Sequence, residues 1–152
     1  MSVKQAVREQ YQATVNRVPV GTIHLPAEGW IRTVRKALGM SGAQLAQRMG
    51  VTRARIAQAE RAELDGGVTL KSMQATAEAM GCRFVYAFEP PAAIETIIVA
   101  QARKKAEAIV GAAARHMALE DQTVSDSRTE QEVSRLMREL IHEMPADFWQ
   151  DK

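Results

Sequence analysis

Apolar positions recur at helical spacing along most of this chain. Val3, Val7, Tyr11 and Val15 stand four residues apart, which predicts a short helix over residues 3–15. The stretch VPVGTIHLPAEG then breaks the period with Pro19, Gly21, Pro26 and Gly29 and reads as a linker. From Trp30 the pattern is dense. Trp30, Ile31, Val34, Ala37 and Leu38 form one stripe, ended by Gly39. Ser41 caps a short helix, GAQLAQRM, that turns Leu45, Ala46 and Met49 inward. Gly50 ends it, Val51 plugs the turn, and Thr52 caps a third helix, RARIAQAERA. After the turn Asp65-Gly66-Gly67, Thr69 caps a fourth helix, LKSMQATAEAM, closed by Gly81. Met40, Met49, Met73 and Met80 sit at apolar positions, where core packing is their expected role.

Residues 83–89, RFVYAFE, follow a different rule. Phe84, Tyr86 and Phe88 alternate with Val85 and Ala87, which predicts a β-strand that ends at Pro90-Pro91. One strand alone is not stable in water. The expectation is that two copies of the chain pair these strands, with Phe84, Tyr86 and Phe88 as dimerisation residues. A long helix is expected over residues 92–119, with Ile94, Ile98, Ile109, Ala113 and Met117 on one side. A polar break follows over 120–127. Ser127 and Glu130 have the spacing of a capping box, and Val133, Leu136, Met137, Leu140, Ile141 and Met144 mark the last helix. The tail after Pro145 keeps Phe148 and Trp149, candidate anchors for a protein partner. The fold class expected is mainly α: a helix-turn-helix domain, one β-strand, and a C-terminal helical extension. By residues this is an N-terminal helix and linker (1–27), a DNA-binding domain (28–81), a dimerisation strand (82–90) and a helical region (91–152).

Composition narrows the function. The chain has 152 residues, 46% hydrophobic and 25% charged, the balance of a folded soluble domain. It has no apolar run long enough to span a membrane. The N-terminus lacks the apolar core of a secretory signal. The single cysteine, Cys82, excludes a disulfide framework and fits a reducing compartment, so a cytoplasmic location is expected. The net charge of +2 hides a gradient. Residues 28–61 alone carry +5, whereas residues 91–152 carry −3. A basic segment followed by an acidic one points to different partners for the two halves.

Enzymatic chemistry has little to stand on. No Gly-rich phosphate loop, GxSxG or HExxH motif occurs. His24, His116 and His142 are scattered, and His116 with Glu120 offers at most two ligands on one helix face. No catalytic residue, metal site or cofactor is expected. The positive signal runs from Gly39 to Arg61, two short helices joined by a tight glycine turn, the pattern of a helix-turn-helix. In that geometry the second helix enters the major groove by its N-terminal turn. The outward residues are Thr52, Arg53, Ala54, Arg55 and Gln58. Arg53 and Gln58 are the candidate base readers, and Ala54 offers a methyl to thymine. Ser41, Thr52 and Arg55 are the candidate phosphate holders.

VRKALGMSGAQLAQRMGVTRARIAQAERA resembles the phage-repressor and Cro-like class of helix-turn-helix domains. That resemblance implies an ion pair between Arg35 of the first helix and Glu60 at the end of the recognition helix. It also exposes a departure: the usual Gln just after the second helix's cap is Gly42, leaving Ser41 and Gln44 as substitute contacts. GWIRTVRKALGMSGAQLAQRMGV, DGGVTL, AMGCRFVYAFEP and HMALEDQTV together resemble the family called mobile mystery protein A, from Gly29 to about Val124. The resemblance implies an antitoxin-type transcriptional repressor, encoded beside a Fic-domain protein (mobile mystery protein B) that it restrains. The chain has no Fic catalytic motif HPFxxGNGR. No Ser or Thr has Glu four residues later, so the Fic-inhibitory helix motif is absent too. The expected partners are operator DNA, a second copy of the chain and a Fic-domain protein, with no membrane. A protein-interaction module that neutralises a toxin, with DNA binding secondary, is the competing function.

Overall fold

The computed structural model describes residues 2–119 and 125–151. All regular structure among them is helical: α1 (Val3–Val15), α2 (Trp30–Ala37), α3 (Gly42–Met49), α4 (Arg53–Asp65), α5 (Leu70–Ala79), α6 (Glu95–Leu119) and α7 (Asp126–Glu143). They fall into two compact units. One comprises residues 21–87 and the other residues 1–20 with 88–152.

The 21–87 unit holds α2 to α5. Ile31, Leu45, Ala46, Ile56, Met73 and Met80 form its buried core, and Val34, Met40, Met49, Val51, Val68 and Phe84 pack around them. Each buried aliphatic side chain contributes about 1.5–3 kcal/mol of transfer free energy. The stripe on α2 is narrower than its sequence suggests, since Trp30, Ala37 and Leu38 are exposed and only Ile31 is fully buried.

No β-strand occurs among the described residues, so the strand expected over 83–89 is corrected. The aromatic alternation does not define a face. Phe84 is half-buried against the core of the 21–87 unit, Tyr86 stacks on it with ring centroids 6.0 Å apart, and Phe88 is 91% exposed. The segment carries the chain out of one unit to Pro90, which is buried. A strand is defined by ladder pairing, and among the described residues none is formed by this segment.

The other unit joins α1, α6 and α7. Helices α6 and α7 pack together, and the buried side chains are Ala102, Ala106, Val133 and Phe148. On α7 the apolar stripe from Val133 to Met144 turns inward as its spacing suggests. Its cap is Ser125, whose hydroxyl accepts from Arg128 N, so Ser127 lies inside the first turn and the expected Ser127–Glu130 box is not formed. On α6 the seam runs through Ala102 and Ala106, and Ile109 and Ala113 are exposed. Helix α1 buries no residue. Val3, Val7 and Tyr11 all face outward, and the helix is held by polar contacts. The Arg8 guanidinium donates to Ile141 O, Asn16 Oδ1 accepts from Ile94 N, and Asn16 Nδ2 donates to Glu95. The bond from Asn16 holds the Glu95 carboxyl below its ordinary range. Residues 120–124, with Glu120 and the end of HMALEDQTV, lie outside the described residues.

Candidate DNA interface

The interface is built from α3, a tight turn and α4. Ser41 Oγ accepts from Gln44 N at 3.1 Å, and Gln44 Oε1 accepts from Ser41 N at 2.8 Å. This reciprocal box satisfies two orphan donors at the start of α3. It also employs Gln44, leaving only its amide nitrogen for a DNA contact. Gly50 ends α3 at φ 67°, a left-handed conformation that costs an L-residue about 1–2 kcal/mol. Val51 N then bonds back to Ala46 O at 2.9 Å. Thr52 opens α4 with its hydroxyl accepting from Arg55 N at 3.2 Å. Ala46 is buried where α3 and α4 meet, and Ile56 fixes α4 to the core.

The opposite side of α4 is open. Thr52, Arg53, Ala54, Arg55 and Gln58 are all exposed, as are Ser41 and Gln44. Among the described residues the side chains of Arg53, Arg55 and Gln58 have no hydrogen-bond or ion-pair partner. About twelve N–H donors, five from each guanidinium and two from the amide, are therefore free, with the guanidinium forks suited to phosphate or guanine and the amide to adenine. A Cβ on Gly42 would stand 4.0 Å from Arg53 Cγ. That is an ordinary van der Waals distance, so the Arg53 stem would tolerate a small side chain there. Beside α4 a groove of about 420 Å³ is lined in part by Arg55, Gln58, Thr69 and Ser72. Thr69 and Ser72 belong to the start of α5, and sequence spacing alone did not bring them to this site.

The scaffold behind the site is ionic. Arg35 Nε donates to Glu60 Oε1 at 2.7 Å, with side-chain exposures of 14% and 13%. Arg35 Nη1 also donates to Met40 O at 3.0 Å. The structure therefore brings Arg35 and Glu60 together between α2 and α4. Of the aromatics expected at a dimer seam, Phe84 packs on the core of its own unit, whereas Tyr86 and Phe88 are exposed. A second carboxylate of α4, Glu63, was not singled out from sequence. It accepts from Trp30 N and Ile31 N at the start of α2. The two ends of that contact are more than thirty residues apart, so no local spacing announces it.

The helix-turn-helix family HTH_3 matches residues 31–86. That span covers the whole four-helix core through Tyr86. It identifies a helix-turn-helix DNA-binding domain of the kind found in transcriptional regulators, and it supports the likeness to the phage-repressor class. No curated protein and no solved structure matches the chain significantly. No helix among the described residues is long and apolar enough to cross a membrane. No group of three or more His, Cys, Asp or Glu among them is placed to hold a metal ion.

Proposed function

We propose that this chain is a sequence-specific operator-binding repressor that reads DNA with α4. The observation that carries the reading is the exposed row Thr52, Arg53, Ala54, Arg55 and Gln58, whose cationic and amide donors are unengaged in the chain. In this reading Arg53 and Gln58 contact bases and Ala54 meets a thymine methyl. Ser41, Thr52 and Arg55 hold phosphates, with Gln44 Nε2 beside them. Arg53→Ala is expected to cost about 1–3 kcal/mol of operator affinity and to relax preference at one base pair. Arg55→Ala is expected to weaken all duplexes alike and to lower the salt slope by about one unit. Titration of both variants against the DNA upstream of the gene checks this. Wild-type affinity in both variants would remove α4 as the reading helix.

The likeness to mobile mystery protein A supports a finer reading. The chain is then a cytoplasmic antitoxin that represses its own operon and restrains a Fic-domain protein of the mobile mystery protein B type. Charge divides the labour, because the net −3 of residues 91–152 opposes contact with phosphates. Binding of the Fic-domain protein belongs to that acidic part, where Trp149 is 55% exposed. Two copies act together, since a unit of this kind reads one half-site. Tyr86 and Phe88 are the exposed aromatics available to the second copy, whereas Phe84 is taken up by its own core. Light scattering should then give twice the chain mass of 16.8 kDa, and a single-chain mass at micromolar concentration would refute the dimer.

A further inference from the structure

Helix α2 begins without a cap of its own. Gly29, at its N-cap position, makes no side-chain bond, and the first turn holds no acidic residue. Four backbone N–H groups and the positive end of the helix dipole would otherwise be left uncompensated there. The half-buried Glu63 carboxylate takes that place from α4, with Oε2 accepting from Trp30 N and Oε1 from Ile31 N at 2.9 Å. Gly29 is what admits it. A Cβ at this position would meet Glu63 Cδ and Oε2 at 2.9 Å, closer than real Cβ contacts come. The backbone at Gly29, φ 81° and ψ 162°, is also a conformation essentially confined to glycine.

Glu60 and Glu63 lie one turn apart on α4, and both reach α2. Glu60 grips Arg35 near the end of α2, and Glu63 grips its first turn. The recognition helix is therefore tied to α2 at two separated points, both in its C-terminal half. Neither point lies on the exposed row that faces DNA. Ile56 packs α4 against the core, and the two polar ties add to that packing a hold on the direction of its C-terminal half.

We infer that Glu63, seated by Gly29, is a positioning residue for operator recognition: it fixes the angle at which α4 presents Arg53 and Gln58. The inference rests on the reading of α4 as the DNA-reading helix. The test uses the full chain and two probes, a duplex selected from a random pool by the wild-type protein and a scrambled duplex of the same composition. All binding is measured where circular dichroism shows each variant fully folded. Glu63→Ala should lose about tenfold for the selected duplex, the scale of a lost pair of charge-assisted hydrogen bonds only partly transmitted. It should change little for the scrambled one. Its salt slope should match wild type, because no phosphate contact is removed. Gly29→Ala, which evicts the carboxylate and also strains a backbone conformation confined to glycine, should show a selective loss at least as large. The double variant should be no worse than Gly29→Ala alone, because the Glu63 contact is already lost there.

Glu63→Gln keeps an acceptor for one of the two N–H groups and should fall between wild type and Glu63→Ala. It also carries the test if the alanine variant does not fold. Met80→Ala, a truncation in the buried core at the end of α5 that does not line the groove beside α4, serves as the control for stability alone and should keep the wild-type ratio of selected to scrambled binding. An unchanged ratio in Glu63→Ala and Glu63→Gln would overturn the positioning role. Equal loss of ratio in Met80→Ala would overturn it as well, by showing that stability alone moves the readout. A wild-type protein that selects no duplex would instead defeat the underlying reading of α4, and the inference with it.

Discussion

Glu60→Ala is expected to lower the stability of the 21–87 unit by about 3 kcal/mol, the lower end of the range for breaking a buried ion pair. Both partners are largely shielded, with side-chain exposures of 14% and 13%, so removal of one strands the other. Arg35 would keep its bond to Met40 O, which is why the lower end of the range is the fitting one. The loss should appear as an early thermal transition of this unit and as weaker DNA binding, since α4 loses one of its two ties to α2. Arg35→Met with Glu60→Leu should recover most of the stability, because well-packed apolar replacements often match a buried pair. Recovery of stability without recovery of affinity would locate the pair's value in orientation. A Glu60→Ala protein that melts with wild type would show that solvent already screens the pair.

Much of the 21–87 unit was legible because its signals are local. Ser41, Thr52 and Thr69 cap helices within three residues of themselves, and each cap is made. Leu45, Ala46 and Ile56 recur at helical spacing on elements too short to have more than one buried side. Elsewhere periodicity told which side of a helix was apolar but not what would cover it. The stripe Val3, Val7 and Tyr11 is real on α1, yet the helix is held by Arg8 and Asn16 and turns that stripe outward. On α6 the large side chains drew attention to Ile109, whereas the buried seam is made of Ala102 and Ala106, whose small size is what permits close approach. Alternation over 83–89 mimicked a strand because Phe84, the last core residue of one unit, stands beside residues that carry the chain away from it. Glu63 was hidden for a different reason. Its partners are backbone N–H groups, which have no sequence signature.

The tail after Pro145 gives the other large expected effect. Of its two aromatics, candidate anchors for a protein partner, one packs into the chain's own fold. Phe148 is 1% exposed, and Trp149 sits edge-on to it with ring centroids 4.9 Å apart. Polar bonds strap the same stretch to α6. Gln101 Nε2 donates to Phe148 O at 2.8 Å, Lys105 Nζ donates to Asp147 O, and Lys104 pairs with Asp151 at 3.0 Å. The bonds from Lys104 and Gln101 hold the Asp151 carboxyl below its ordinary range. That contribution is present at neutral pH and is lost as acid brings the pH down through the lowered value. The strap's anchors, Gln101, Lys104 and Lys105, neighbour the fully buried Ala102 and Ala106 along α6. Phe148→Ala removes the largest fully buried side chain among the described residues and should cost about 3–5 kcal/mol. In a Trp30→Phe background Trp149 is the sole indole. Its emission should shift to the red in Phe148→Ala, and its unfolding midpoint in urea should fall. DNA binding by the 21–87 unit should survive the change, because Phe148 contributes nothing to that unit's core. A midpoint unchanged from the background protein would mean that the strap alone, without the buried ring, holds the tail on α6.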